Sequence, residues 1–241
     1  MKPEIPALTT AQIREVDRLM VEEYGIQLVQ MMENAGRHLA ALTRTLLGGA
    51  AGKRILVSCG TGSNGGGGLV AARHLANWGA AVTVLAESER RLAEVPARQW
   101  TALRRLPVRR MQGDAAVVGV AAQPADLIVD ALVGYGLQGN PRGWTARMIE
   151  QMNGAETPVL ALDVPSGLDA TSGVPATPCV NATATMTLAL PKTGLLTATG
   201  RPFVGALFLA DIGVPPGLYR ALGLELGPIF ATSEVLPLEP R

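Results

Sequence analysis

Arg54–Ala86 reads RILVSCGTGSNGGGGLVAARHLANWGAAVTVLA. Arg54–Cys59 is an apolar run of strand length, Gly60–Gly68 a glycine-rich loop, Leu69–Trp78 a helical pattern and Ala81–Ala86 a second strand. Apolar strands joined through helices build a largely parallel sheet covered on both faces. Such a sheet binds ligands beyond the carboxyl ends of its strands, where the glycine loop falls.

Working outward, the alternation continues. A polar helix over 89–106 precedes a short strand at Val108–Met111, and 127–132 (LIVDAL), 159–162 (VLAL), 185–190 (TMTLAL) and 203–210 (FVGALFLA) are further strands. Upstream, Thr9 or Thr10 caps a helix carrying Ile13, Val16, Leu19 and Met20 at helical spacing and ending at Tyr24–Gly25. A second helix runs from about Gln27 to Leu47, with Gly36 inside it as a point of close backbone approach. The expected architecture is one α/β domain over 1–241, a Rossmann-like three-layer α/β/α sandwich with a core at about 8–219 and a C-terminal tail at 229–241.

Composition narrows the function classes. Apolar residues make up 48% of the 241 positions and aromatics 4%, which suits helices packed on a sheet better than a base-stacking surface. Lys plus Arg (21) nearly cancels Asp plus Glu (20), so no nucleic-acid partner is expected. No apolar run approaches the roughly 18 residues that span a bilayer, so no membrane partner is expected. The start, MKPEIPALTT, lacks the apolar segment of a secretory signal, and a cytoplasmic location is expected. Cys59 and Cys179 make no metal-ligand spacing.

Three loops converge on one crevice: Gly60–Gly68, Gly134–Gly143 and Asp163–Gly167. Six glycines in the nine positions 60–68 free backbone amides to approach an anion at a helix N-terminus, although tight turning alone also uses glycine. Asn64 serves equally well as a left-handed turn residue or as a ligand of a cation or substrate hydroxyl. Asp130 closes an apolar strand, where a carboxylate is costly unless it faces the crevice, is paired or binds a cation. Asp163 lies in LDVPSGLD (162–169), where Pro165 and Gly167 stiffen a turn that aims Asp163 and Ser166 at one point. A partly desolvated Asp163 suits general acid/base work. Ser166 lacks a His partner and the G-x-S-x-G pattern, against a hydrolase. Lys192 reads as surface charge or a substrate contact; His38 and His74 read as packing or surface residues.

MENAG (32–36), CGTGSNGGGGLVAARHL (59–75), ADLIVDALVGYGL (125–137), ALDVPSGLDA (161–170), PKTGLL (191–196) and GRPFVGALFLADIGVP (200–215) together resemble the YjeF N-terminal domain family, from about Leu8 to Tyr219. The resemblance implies epimerisation of NADHX and NADPHX, the hydrated forms of the reduced nicotinamide cofactors, in a homodimer. It implies substrate contacts at Ser63, Asn64, Gly65, Gly66 and Gly67, at Gly134, Tyr135, Gly136, Leu137, Gln138, Gly139 and Asn140, and at Asp163. It further implies one potassium ion per subunit, held by Asn64, Asp130 and Ser166. Asp163 is the expected catalytic residue, protonating the leaving hydroxyl and deprotonating the returning water.

The sequence departs from the family pattern in its glycine loop. Gly67 stands where an Asp is usual, Ser63 where the first Asn is usual, and Gln138–Gly139 where Ser–Arg is usual; Arg142 lies near enough to substitute for that Arg. The lost carboxylate makes a catalytically degenerate nucleotide-binding or protein-interaction module the alternative reading. Thr232–Arg241 resembles the linker that precedes a dehydratase domain in bifunctional relatives, so a separate or lost dehydratase partner is expected.

Overall fold

The computed structural model describes residues 5–238. Eight strands form one sheet: β1 (Arg54–Cys59), β2 (Ala81–Ala86), β3 (Val108–Gln112), β4 (Leu127–Ala131), β5 (Val159–Leu162), β6 (Ala184–Leu188), β7 (Ala206–Ala210) and β8 (Val235–Leu238). Their order is β3-β2-β1-β4-β5-β6-β7-β8. Strands β1 to β7 are parallel and β8 joins antiparallel to β7.

Both faces of the sheet are covered, and successive side chains of β1 and β4 pack into opposite layers as the pleat requires. Ile55, Val57 and Cys59 of β1 and Leu127, Val129 and Ala131 of β4 face one helix layer with Leu69, Leu75 and Trp100. Leu56 and Ile128 face the other with Val120, Met148 and Ile149. Burying one such aliphatic side chain is worth roughly 1.5–3 kcal/mol. The first layer holds helices α2 (Leu28–Leu46), α3 (Ser63–Asn77) and α4 (Glu94–Ala102); the second holds α5 (Gly113–Ala122) and α6 (Gly143–Gly154). The expected three-layer α/β/α architecture is therefore present.

Helix α1 (Thr10–Glu22) opens the described structure, capped by Thr9 in a reciprocal box with Gln12. It packs with α8 (Pro216–Ala221). Helix α2 crosses α3 at Gly36, where an added Cβ would lie 2.4 Å from Val70 and 2.6 Å from the Gly67 carbonyl oxygen.

Several boundaries differ from the sequence reading. The glycine segment is loop only to Gly62; α3 starts at Ser63 and carries Gly65–Gly68 in its first turns. Four glycines disfavour a helix by propensity, but buried helix packing overrides that cost. The segment 89–106 is broken into a 3-10 turn (Glu89–Arg91), α4 and a second 3-10 turn (Leu103–Arg105), because Pro96 fits only a first helical turn. The segment 203–210 divides at Gly205 (φ 63°) into α7 (Arg201–Val204) and β7. Within the stretch expected as a tail, residues 235–238 form β8; residues 239–241 lie outside the described part.

Candidate active site

The sheet order turns at β1. The chain lays β2 and β3 on one side of it, then returns to place β4 on the other. Loops leaving β1 and β4 at their carboxyl ends therefore diverge and open a crevice there. The two backbones touch at its base: Gly60 N–H donates to the Ala131 carbonyl at 3.0 Å. An added Cβ on Gly60 would sit 1.9 Å from the Leu132 carbonyl oxygen, so glycine is required.

A cavity of about 620 Å³ fills this crevice, a size typical of small-molecule sites. Gly60–Asn64, Gly67, Leu132–Gly136, Leu162, Asp163, Leu188, Ala189 and Lys192 line it, joined by Ile13, Arg14 and Asp17 from α1. The three loops read from the sequence thus meet in one place.

Asp163 follows β5 and is 3% exposed. Its backbone lies in the left-handed region, φ 71°, one of two described non-glycine residues with positive φ. Such strain persists where the surroundings over-determine it, commonly at functional sites. Asp163 Oδ2 accepts the Tyr135 backbone N–H at 3.0 Å. Its Oδ1 meets the Lys192 ammonium in a buried ion pair. Lys192 is 1% exposed and also donates to the Leu188 carbonyl at 2.8 Å. It is therefore neither surface charge nor a free cation. Gly134 passes so close that an added Cβ would lie 2.9 Å from Asp163 Oδ2 and 3.2 Å from Asn64 Oδ1.

Asp130 and Ser166 lie beneath the cavity, outside its lining. Both are fully buried. Asp130 accepts from the Ser166 hydroxyl at 2.7 Å, the Ser166 N–H at 2.8 Å and the Leu132 N–H at 3.2 Å. Burial pushes its carboxyl up to about 6 against these bonds. The Ser166 hydroxyl also accepts from Val133 N–H at 2.9 Å. Asn64 borders the cavity with its amide oxygen close to Gly134, while its buried amide nitrogen, a donor and no cation ligand, lacks a partner. Carboxylate, hydroxyl and amide oxygens are the donors a hard cation takes, and the buried anion gains from a neighbouring positive charge. These residues fit a potassium ion.

The remaining expected contacts separate by position. Ser63 and Asn64 open α3, and their N–H groups, with that of Gly65, are free of intrahelical partners. Gly66 N–H is already bonded to the Gly62 carbonyl at 3.1 Å, so the expected anion cradle of Gly65–Gly68 amides is confined to the helix start. The glycines beyond serve packing instead: Cβ atoms at Gly66 and Gly68 would meet Met32 Sδ at 2.5 Å and Ala131 Cβ at 2.7 Å. Gly67 still borders the cavity, facing Leu162. Gly134, Tyr135 and Gly136 line the cavity, whereas Leu137, Gln138, Gly139 and Asn140 run away from it. Asn140 instead accepts the Thr177 N–H at 3.2 Å. Arg142 is outside the lining too; Arg14 and Arg91 supply its guanidinium groups. His38 bonds the Asp211 carbonyl and His74 bonds Glu33, both away from the cavity. Burial pushes the thiols of Cys59 and Cys179 up, the latter to about 12, leaving both inert.

Sequence reasoning passed over Asp17. The signal was present: positions 13, 16, 17 and 20 form one stripe of α1, and an acidic residue interrupts an otherwise apolar face. Its carboxylate accepts the Tyr135 phenol hydrogen.

Comparison with known proteins agrees with this arrangement. The family model described as YjeF-related protein N-terminus matches residues 28–194. A Dehalogenimonas lykanthroporepellens protein named NAD(P)H-hydrate epimerase is 46% identical over 92% of this chain and 87% of its own length. A Truepera radiovictrix protein of the same name is 38% identical over 90% of this chain and 94% of its own. A Moorella thermoacetica protein named bifunctional NAD(P)H-hydrate repair enzyme Nnr is 39% identical, but the match spans only 41% of its length. The crystal structure of yeast ynu0 superposes with a TM-score of 0.83 at 25% identity, covering 97% of this chain and all of that one. With the family model matching over both the glycine segment and the Asp163 turn, the chain belongs to the family of YjeF-related protein N-termini.

Proposed function

We propose that this chain is an NAD(P)H-hydrate epimerase, interconverting the R and S forms of hydrated NADH and NADPH in nicotinamide cofactor repair. The observation that carries the reading is Asp163, held on strained backbone beside the start of α3 and paired with Lys192 inside the cavity. Relatives named as epimerases, similar over most of their length, support the substrate.

The reacting carbon bears a hydroxyl and adjoins the ring nitrogen. Donation of the nitrogen lone pair expels the hydroxyl as water and leaves a planar iminium, which water re-enters from either face. The protein has to orient the ring, exclude bulk solvent and manage one proton at each step. An ion-paired carboxylate is a proton acceptor, so Asp163 takes the proton of the returning water. The free N–H groups of Ser63 and Asn64, with Arg14 and Arg91, suit phosphate groups of the substrate. A potassium ion held by Asn64, Asp130 and Ser166 would supply the positive charge that the buried Asp130 lacks and fix the loops after β1, β4 and β5.

The degenerate-module alternative rested on Gly67. It is not favoured, since the cavity contains carboxylates at Asp17 and Asp163 without that position. Cytoplasmic location and homodimerisation belong to the same reading; exposed Val21, Tyr24, Leu28 and Val29 at the α1–α2 end are apolar surface suited to self-association. No described helix is long and apolar enough to cross a membrane. The reading is tested by supplying the epimer that an epimer-specific dehydratase rejects, together with that dehydratase. NADH recovered on adding this protein supports it; unchanged NADHX overturns it.

A further inference from the structure

Three carboxylates line the cavity, those of Asp17, Glu87 and Asp163, and Tyr135 touches the first and the last. Its backbone N–H donates to Asp163 Oδ2 at 3.0 Å, and its phenol hydroxyl donates to Asp17 Oδ2. One tyrosine therefore joins the two acids, one through its backbone and the other through the far end of its side chain. Their settings differ. Asp163 has the Lys192 ammonium as its partner, whereas Asp17, half-buried on α1, has a neutral phenol.

We propose that Asp17, with Tyr135 as its positioning residue, is a second proton-transfer group of this site, giving the departing hydroxyl its proton while Asp163 receives the proton of the returning water. The inference rests on the epimerase reading above. Carboxylates in contrasting environments divide acid and base roles in this way. Burial raises Asp17 above its usual range, outweighing the phenol hydrogen bond and the pull of Lys192, and the Asp163 charge adds to the rise. Arg14 lies one turn away on the same helix, and α8, packed on α1, brings Tyr219 into the same apolar cluster.

Every proton and electron pair is accounted for. The O–H bond of Asp17 breaks and its proton joins the hydroxyl oxygen. The C–O bond breaks, its pair leaving with water, while the ring nitrogen lone pair forms C=N. Water then bonds to the carbon from the opposite side, the C=N pair returns to nitrogen, and the water proton passes to Asp163. One proton has moved from Asp17 to Asp163. Turnover of the opposite epimer, or exchange with solvent at the cavity mouth, restores it.

The test measures conversion of a single purified NADHX epimer by chromatography, with wild type, D17N and Y135F. D17N should lose kcat by about 100-fold or more, with KM within about threefold of wild type. Y135F keeps the acid but removes a hydrogen bond that favours its ionised form. It should lose less rate, and the alkaline limb of its pH profile should move to higher pH. An active wild type with D17N within threefold of it overturns this assignment and leaves the epimerase reading intact. A wild type that does not alter the epimer ratio overturns both. Should D17N fail to fold, judged by circular dichroism, Y135F decides: an unmoved profile and unchanged kcat overturn the proposal.

Discussion

Lys192, in the loop after β6, forms with Asp163, just after the neighbouring β5, an ion pair almost wholly withdrawn from water. Two charges so deeply placed are tolerated only together, since either alone bears an uncompensated desolvation cost. The pair ties the loop after β6 to the turn after β5 and so fixes the Asp163 carboxylate from two elements.

Removing one partner should therefore be worse than removing both. Lys192→Met should lower unfolding free energy by about 3–5 kcal/mol. The Lys192→Met/Asp163→Asn double variant should recover a large part of that loss. Chemical denaturation of the single and double variants checks this; strictly additive losses would contradict the pair's mutual dependence.

Gly67 offers a second check. A Cβ there would approach Leu162 Cδ2 to 2.8 Å, and Leu162 is itself buried. Gly67→Asp should displace that side chain, cost roughly 1–3 kcal/mol in stability and leave kcat at or below wild type. A substantially faster Gly67→Asp enzyme would mean that the site lacks a carboxylate it needs.

The sequence disclosed the sheet and the three loops because buried parallel strands leave long apolar runs and because glycine and proline punctuate the turns. It also disclosed Asp163, Asp130 and Ser166 as neighbours of strand ends. Three things it concealed for physical reasons. Gly65–Gly68 read as loop because helix propensity is a local average, whereas close packing against Met32 and Ala131 is a tertiary fact. Lys192 read as surface charge or a substrate contact, not as an ion-pair partner, because its sequence neighbours say nothing of a carboxylate 29 positions earlier. Asp17 vanished into a helix whose other positions follow an ordinary amphipathic stripe.

The proposed potassium site at Asp130 makes a prediction about pH and stability. The Asp130 folded-state value of about 6 lies above the ordinary carboxyl value of 3.8, so the folded protein binds this proton more tightly than the unfolded chain. Its favourable contribution is present at acid pH and is lost as pH rises between those two values. Above that window the buried anion costs about 3 kcal/mol. Potassium held there, as proposed, should offset this cost where the group is ionised. At equal ionic strength, replacing a bulky organic cation with potassium should raise Tm near pH ~8 and have little effect near pH ~4.5. Asp130→Asn should abolish the difference. An equal potassium effect at both pH values, or its survival in Asp130→Asn, would contradict the assigned site.

The most direct test of the central claim incubates one purified epimer of hydrated NADH with wild-type protein and with Asp163→Asn, and follows the epimer ratio over time. Wild type should restore the equilibrium mixture far faster than buffer alone. Folded Asp163→Asn should be slower by about 100-fold or more. A wild-type rate equal to the buffer rate, or an Asp163→Asn variant as fast as wild type, would contradict the account.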